Sequence, residues 1–322
     1  MKGLAVLAVL VGAELVFMSA DVFAQPAPPS PEIIARGVVS NVLQQARLRG
    51  PDNWQQLLQS IVVNFGELES AQPIARSTAG TRHIDMPSQF VRSQEGVLTI
   101  IHAGSGLVST SGCAKGYYDY TKLQPFVPAV RYMQSNRANC QAALDRIPLS
   151  AAALDQVRKG LEAALLFGFV HEVGHHFHAH QPYLPPLPPS GEFTRCQVLE
   201  SFRIRRLQEE QADDFAVDFL ARVGAGTIVF RQAQVWLLSA MAESGKASST
   251  FISDLELEFV NFHPFGARRL ARQLRRTTLA EPPVEFTPLE KTWIRDFLIV
   301  DKKITELVEQ SAFVKQQLAG CK

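Results

Sequence analysis

Residues 163–176 read Ala-Ala-Leu-Leu-Phe-Gly-Phe-Val-His-Glu-Val-Gly-His-His, and this stretch decides the fold. From Ala163 to Val170 there is no polar side chain, so a helix here is apolar all round and must have protein on every side. It closes on His171-Glu172-Val173-Gly174-His175, an H-E-x-x-H. Four helical residues turn the chain by about 400°, so both imidazoles project from one face, a turn apart, and can bind one Zn²⁺. Glu172 points about 100° away from that face, beside the open position of the metal, where it can take a proton from bound water.

Working backwards, Leu154, Val157, Leu161 and Leu165 keep helical spacing, and Ser150 is placed to cap a helix that begins at Ala151. Working forwards, Gln181-Pro182 is expected to end that helix, and Pro182 to Pro189 (PYLPPLPP) reads as a stiff loop. Thr194 with Gln197 three residues on predicts a capping box for the next helix, and Gly224 is its expected stop.

A catalytic zinc site needs a third protein ligand. Glu209-x-x-Ala212-Asp213 on the second helix again has i,i+4 spacing. Glu209 lies within about 20° of Val198, Phe202, Ala216 and Leu220, the core-facing stripe, and is the expected ligand. Glu210, about 100° round with Arg203 and Arg206 on its side, reads as a solvated ion pair. Asp213 is suited to accept the outer N–H of His171 or His175 and so fix its tautomer. His176, His178 and His180 follow the motif. Seven residues put His178 about 10 Å along the axis from His171, too far for one ion on an unbroken helix. The metzincin pattern would need Gly at 178 and His at 181, where this chain has His178 and Gln181. His83 and His102 have no visible partners and read as ordinary polar residues.

These motifs resemble the gluzincin metallopeptidases, above all the family of the membrane protease HtpX, the CAAX prenyl endopeptidases and their soluble periplasmic relatives. Phe169 to His176, Glu209-x-x-Ala212-Asp213, and His263-Pro264 followed by Arg269-Leu270 carry the likeness, which spans roughly residues 150–276. Phe215-Ala216 after Asp213 also resembles the ImmA-type metallopeptidases. The resemblance implies a zinc-dependent metalloendopeptidase acting on a protein or peptide substrate. His171, His175 and Glu209 would hold one Zn²⁺ per chain, Glu172 would be the general base, and His263 or Arg269 would be the possible transition-state stabiliser. It also implies a zincin-like core, in which substrate lies along an edge strand. Val97 to Ile101, β-branched and flanked by Gly96 and Gly104, is the expected strand, with a second at Val108 to Gly112.

The rest of the chain bounds the reading. At 322 residues, 46% hydrophobic and 20% charged, it has the composition of a globular protein, and general disorder, collagen and coiled coil are excluded. A formal charge of +1 offers no basic surface for nucleic acid. Residues 1–24, with Lys2, an apolar run and Val22-Phe23-Ala24, read as a secretory signal peptide, the alternative being an uncleaved membrane anchor, and 25–31 as a Pro-rich linker. No later stretch approaches 18 uninterrupted apolar residues, so no membrane span is expected in the mature chain. That places the protein in the periplasm or outside the cell, where Cys113, Cys140, Cys196 and Cys321 would form two disulfides. Cys113 with Cys140 and Cys196 with Cys321 is the expected pairing.

The expected architecture is α+β and predominantly α-helical, with a small sheet before the H-E-x-x-H helix. Residues 32–322 form a single domain, with a catalytic core at about 95–276 and C-terminal helices over 286–320. Helices are expected over 32–64 (broken at Pro51-Asp52), 226–243, 265–276 and 288–318. The competing functional reading is a non-catalytic or weakly active zinc-binding envelope protein that serves as a partner-binding module.

Overall fold

The computed structural model describes residues 30–68, 73–78, 80–103, 149–180, 194–232, 266–312, 315–316 and 319–321. Its labelled elements run α1 (Pro31–Arg49), α2 (Asp52–Gln59), β1 (Ile61–Gly66), β2 (Ile74–Thr78), β3 (Thr81–Pro87) and α3 (Ser88–Ala103). After these come α4 (Ala151–Phe177), α5 (Arg195–Arg222), α6 (Gly266–Thr278) and α7 (Pro288–Glu309). The protein is α+β and mostly helical, with its small sheet ahead of the H-E-x-x-H helix. Residues 227–232 are also helical, at the start of the helix expected over 226–243.

Two local rules set the central pair of helices. Ser150 caps α4 by accepting from the Ala153 N–H, and Thr194 with Gln197 closes a complete capping box on α5. Around α4 the residues Leu165, Phe169, Val170 and Val173 are all at most 1% exposed, which fits a helix surrounded by protein. They join α1, β3, α3 and α5 in one core with Ile84, Met86, Val91, Phe219 and Leu220. A smaller cluster of Phe230, Leu270, Leu274, Phe286 and Ile294 fastens α6 to α7.

The helices α4 and α5 meet at Gly174. A Cβ added there would lie 2.9 Å from both Cα and O of Ala212 and 3.2 Å from Cβ of Phe215. Two of those atoms are backbone and cannot rotate away. We predict that Gly174→Ala loses more by overlap, about 1–3 kcal/mol, than the roughly 1 kcal/mol it gains in helix propensity. A urea midpoint at or above that of the wild type would contradict this.

The sheet has the order β1-β3-β2, with β1 parallel and β2 antiparallel to β3. Three expectations are corrected here. The helical reading of 32–64 runs too far, because α2 ends at Gln59 and Ile61-Val62-Val63 opens β1, where β-branched side chains pack well. Val97 to Ile101 is not a strand but the last half of α3. Its neighbours Val91 and Leu98, two helical turns apart, are both buried, so tertiary packing overrides the local β-branched composition. The helix α4 stops at Phe177, before Gln181-Pro182.

The stop expected at Gly224 is observed, with φ +80° just beyond α5. Cys196 and Cys321 are joined, as expected, tying the start of α5 to the end of the chain. The other expected disulfide, the strand at Val108 to Gly112, the Pro-rich loop and the N-terminal segment lie outside the described residues. No helix among the described residues is long and apolar enough to cross a membrane.

Candidate metal centre

Side chains from two helices converge where α4 and α5 cross. Nε2 of His171 lies 3.1 Å from Nε2 of His175, as their i,i+4 spacing requires. From α5, Glu209 brings Oε2 to 3.3 Å from the His171 Nε2 and Oε1 to 3.6 Å from the His175 Nε2. Three donors on one tetrahedral ion with bonds of about 2.0–2.1 Å stand about 3.3 Å apart. The two nitrogens have that spacing, and each meets a different oxygen of the Glu209 carboxylate at a similar distance. One ligand atom from each of His171, Glu172 and His175 also lies within 4.8 Å of the others, so this cluster could hold a metal ion.

Glu172 is distinguished from Glu209 by what holds it. Its Oε2 accepts the backbone N–H of Ala75 at 2.7 Å. Ala75 belongs to β2, an outer strand of the sheet, and its N–H goes to this side chain. Glu172 thus stands beside the donor cluster, fixed from the strand side. Burial pushes its carboxyl up to about 7, against the opposing pull of His171 and the Ala75 N–H. The strand edge at this site is therefore β2, which precedes the 95–276 stretch expected to form the core.

The outward faces of the ligands differ. Nδ1 of His171 lies 2.9 Å from Oδ1 of the fully buried Asp213, the partner expected from the sequence. Asp213 in turn takes a bidentate grip from Arg269, whose Nε and Nη2 donate at 2.8 and 2.7 Å. Burial alone would raise the Asp213 carboxyl, but Arg269 and His171 hold it well below the usual carboxylate range. Arg269 is also 3.5 Å from Glu209. Its guanidinium thus meets two carboxylates of the site. His263, the other expected stabiliser, lies outside the described residues.

Burial tends to lower the His171 imidazole, yet hydrogen bonds with Asp213 and Glu209 raise it to about 10. Burial and the charge of His171 lower His175 to about 3. A positive charge is thus disfavoured on His175 and favoured on His171, between Asp213 and Glu209. A cation is favoured there, and a metal ion would compete for the same lone pairs.

The remaining histidines separate. His176 is buried and donates from Nε2 to the His83 carbonyl of β3 at 2.8 Å, tying α4 to the sheet. His178 is exposed beyond the end of α4 and stacks on His180. His180 reaches back to His175, with their Nδ1 atoms 2.9 Å apart, a role that sequence reasoning missed. Glu210 meets Arg272 of α6, while Arg203 pairs with Glu200. Glu210, expected in a solvated ion pair, thus faces α6. Among known proteins, no family model, no curated protein and no solved structure matches the chain.

Proposed function

We propose that this chain is an exported zinc-dependent metalloendopeptidase that hydrolyses peptide bonds of a protein or peptide substrate. The observation that carries the reading is the two-helix donor set His171, His175 and Glu209 at 3.1–3.6 Å separations, with Glu172 held beside it by Ala75. A purely structural site has no use for a carboxylate in that position. Zinc, when bound, would polarise the scissile carbonyl and bring the pKa of its water to near 7.

The protein's own groups would do the rest. Glu172 would take the proton from the attacking water through its other oxygen and later deliver it to the leaving amine. Asp213 would keep the His171 proton on Nδ1, leaving Nε2 free to ligate. Substrate would lie along the outer edge of β2, replacing Val97 to Ile101 in that role. The disulfide Cys196–Cys321 supports an oxidising compartment, in keeping with the periplasm or the exterior of the cell. An envelope protein is a natural substrate class there.

The test is elemental analysis of the purified chain. We expect one zinc per chain, lost when His171 and Glu209 are both replaced by alanine. Zinc that survives the double substitution would sink the ligand assignment. Glu210→Ala should keep its zinc, because Glu210 faces Arg272 and not the donor cluster.

A further inference from the structure

The helix α4 ends in a turn that brings the chain back over its own last ligand. The His180 N–H donates to the His175 carbonyl at 2.9 Å, and the Ala179 N–H donates to the His176 carbonyl at 3.2 Å. This is the paired-bond turn that commonly closes helices, with its left-handed residue at position 179. The same turn closes α5, where Ala225 bonds the Leu220 carbonyl and Gly224 bonds that of Ala221. There the left-handed residue is glycine; in α4 it is Ala179, at φ +52°. A side chain with a Cβ is disfavoured in that region, so this turn is held by more than its own backbone preference.

What holds it is visible at His180. Its Nδ1 lies 2.9 Å from the His175 Nδ1, and its Nε2 lies 2.9 Å from Oε1 of Gln211 on α5. The two rings meet edge to face, 5.0 Å between centroids at 71°. The chemistry of this contact has one direction. The His175 Nε2 faces His171 and Glu209 and must offer a lone pair to ligate, so its ring proton sits on Nδ1. That N–H donates to the His180 Nδ1, which places the His180 proton on Nε2, and Nε2 donates to the Gln211 carbonyl oxygen.

We propose that His180 is a positioning residue for the metal centre, setting the tautomer and ring orientation of His175, with Gln211 as its brace. This inference rests on the metal-centre reading above. Each imidazole of the pair then has its own backing group: a carboxylate, Asp213, for His171 and a neutral imidazole–amide relay for His175. The two backing chains arrive from α5 at Asp213 and Gln211, while Glu209 reaches the centre from the same helix. One helix thus supplies the third ligand and supports both others.

The experiment uses the purified full chain with Zn²⁺ or Co²⁺ alone. Because His180 also helps to hold the turn, His180→Ala is made in an Ala179→Gly background, where glycine adopts the left-handed conformation unaided and only the relay is lost. Loss of a backing group typically weakens metal binding about 10–100-fold. We expect that loss for His180→Ala in competition with a chelator, together with altered visible bands of the Co²⁺ form. Asn places an acceptor oxygen where Nδ1 was, so His180→Asn in the same background should recover most of the affinity. Gln211→Leu should weaken binding, and His178→Ala should leave it unchanged. Zinc affinity and Co²⁺ spectrum of His180→Ala equal to those of its Ala179→Gly parent would overturn the proposal while the metal-centre reading stood. An Asn variant no better than Ala would overturn it too, by making the effect one of packing. A wild-type chain that binds neither ion would remove the metal-centre reading and this inference together.

Discussion

Glu172→Gln is expected to keep one zinc per chain and the native fold while lowering peptide hydrolysis about 10²–10⁴-fold. The fold should survive because glutamine retains a carbonyl oxygen that can accept the Ala75 N–H. Turnover should not, because the second oxygen, the one that would take the proton, becomes an amide nitrogen. The measurement is a casein or denatured-protein digest by both forms at equal zinc occupancy. Equal cleavage would mean that Glu172 is not the base. No cleavage by either would count against the peptidase reading and favour the partner-binding alternative.

Asp213→Ala is expected to be the most damaging change outside the ligands. It leaves the part-buried Arg269 without its bidentate partner and His171 without an acceptor on Nδ1. Breaking a buried pair by removing one member typically costs about 3–5 kcal/mol, which is a large share of a domain's stability. Urea unfolding should read that loss, and zinc binding should weaken with it. Replacing both Asp213 and Arg269 with leucine is expected to return much of the stability, since that buried pair is then removed whole, but not the zinc affinity. If the double variant regained both, Asp213 would have no role at the metal centre.

Acid should imitate the single substitution. The folded Asp213 carboxyl sits below its unfolded value of about 3.9. Its contribution is therefore complete above that value and is lost as the pH falls below it toward the folded pKa.

The parts of this site that the sequence reveals are those written in side chains. The caps at Ser150 and Thr194, the apolar surround of α4, the i,i+4 imidazoles and the core-facing Glu209 all follow from residue type and period. The parts that it conceals are written in backbone. The strand β2, Ile-Ala-Arg-Ser-Thr, is almost wholly exposed and shows no apolar alternation, so it is a strand only because β3 pairs with it. Its gift to the site is the Ala75 N–H, which no residue choice announces. His180 is silent for a related reason. Its place over His175 depends on a left-handed turn at Ala179, where no glycine marks the reversal. In α3, local composition speaks against the outcome, because β-branching reports a packed environment as readily as a strand.

The arginines of α6 have a consequence beyond their charges. Arg269, Arg272 and Arg276 meet Asp213, Asp214 and Asp218 in ascending order, so α6 runs parallel to α5 and the pairs act as a vernier between them. The arginines step by three and four residues and their aspartates by one and four, so the two helices share the four-residue interval from Arg272–Asp214 to Arg276–Asp218. Sliding α6 by one turn would set Arg272 against the wrong carboxylates and carry Arg269 off Asp213. The scale is graded, with the Arg269 side chain 17% exposed and those of Arg272 and Arg276 42% and 44%. Salt screens exposed pairs far more than buried ones. High ionic strength should therefore loosen the far end of the scale first and leave its zero mark, Asp213 beneath His171, in place.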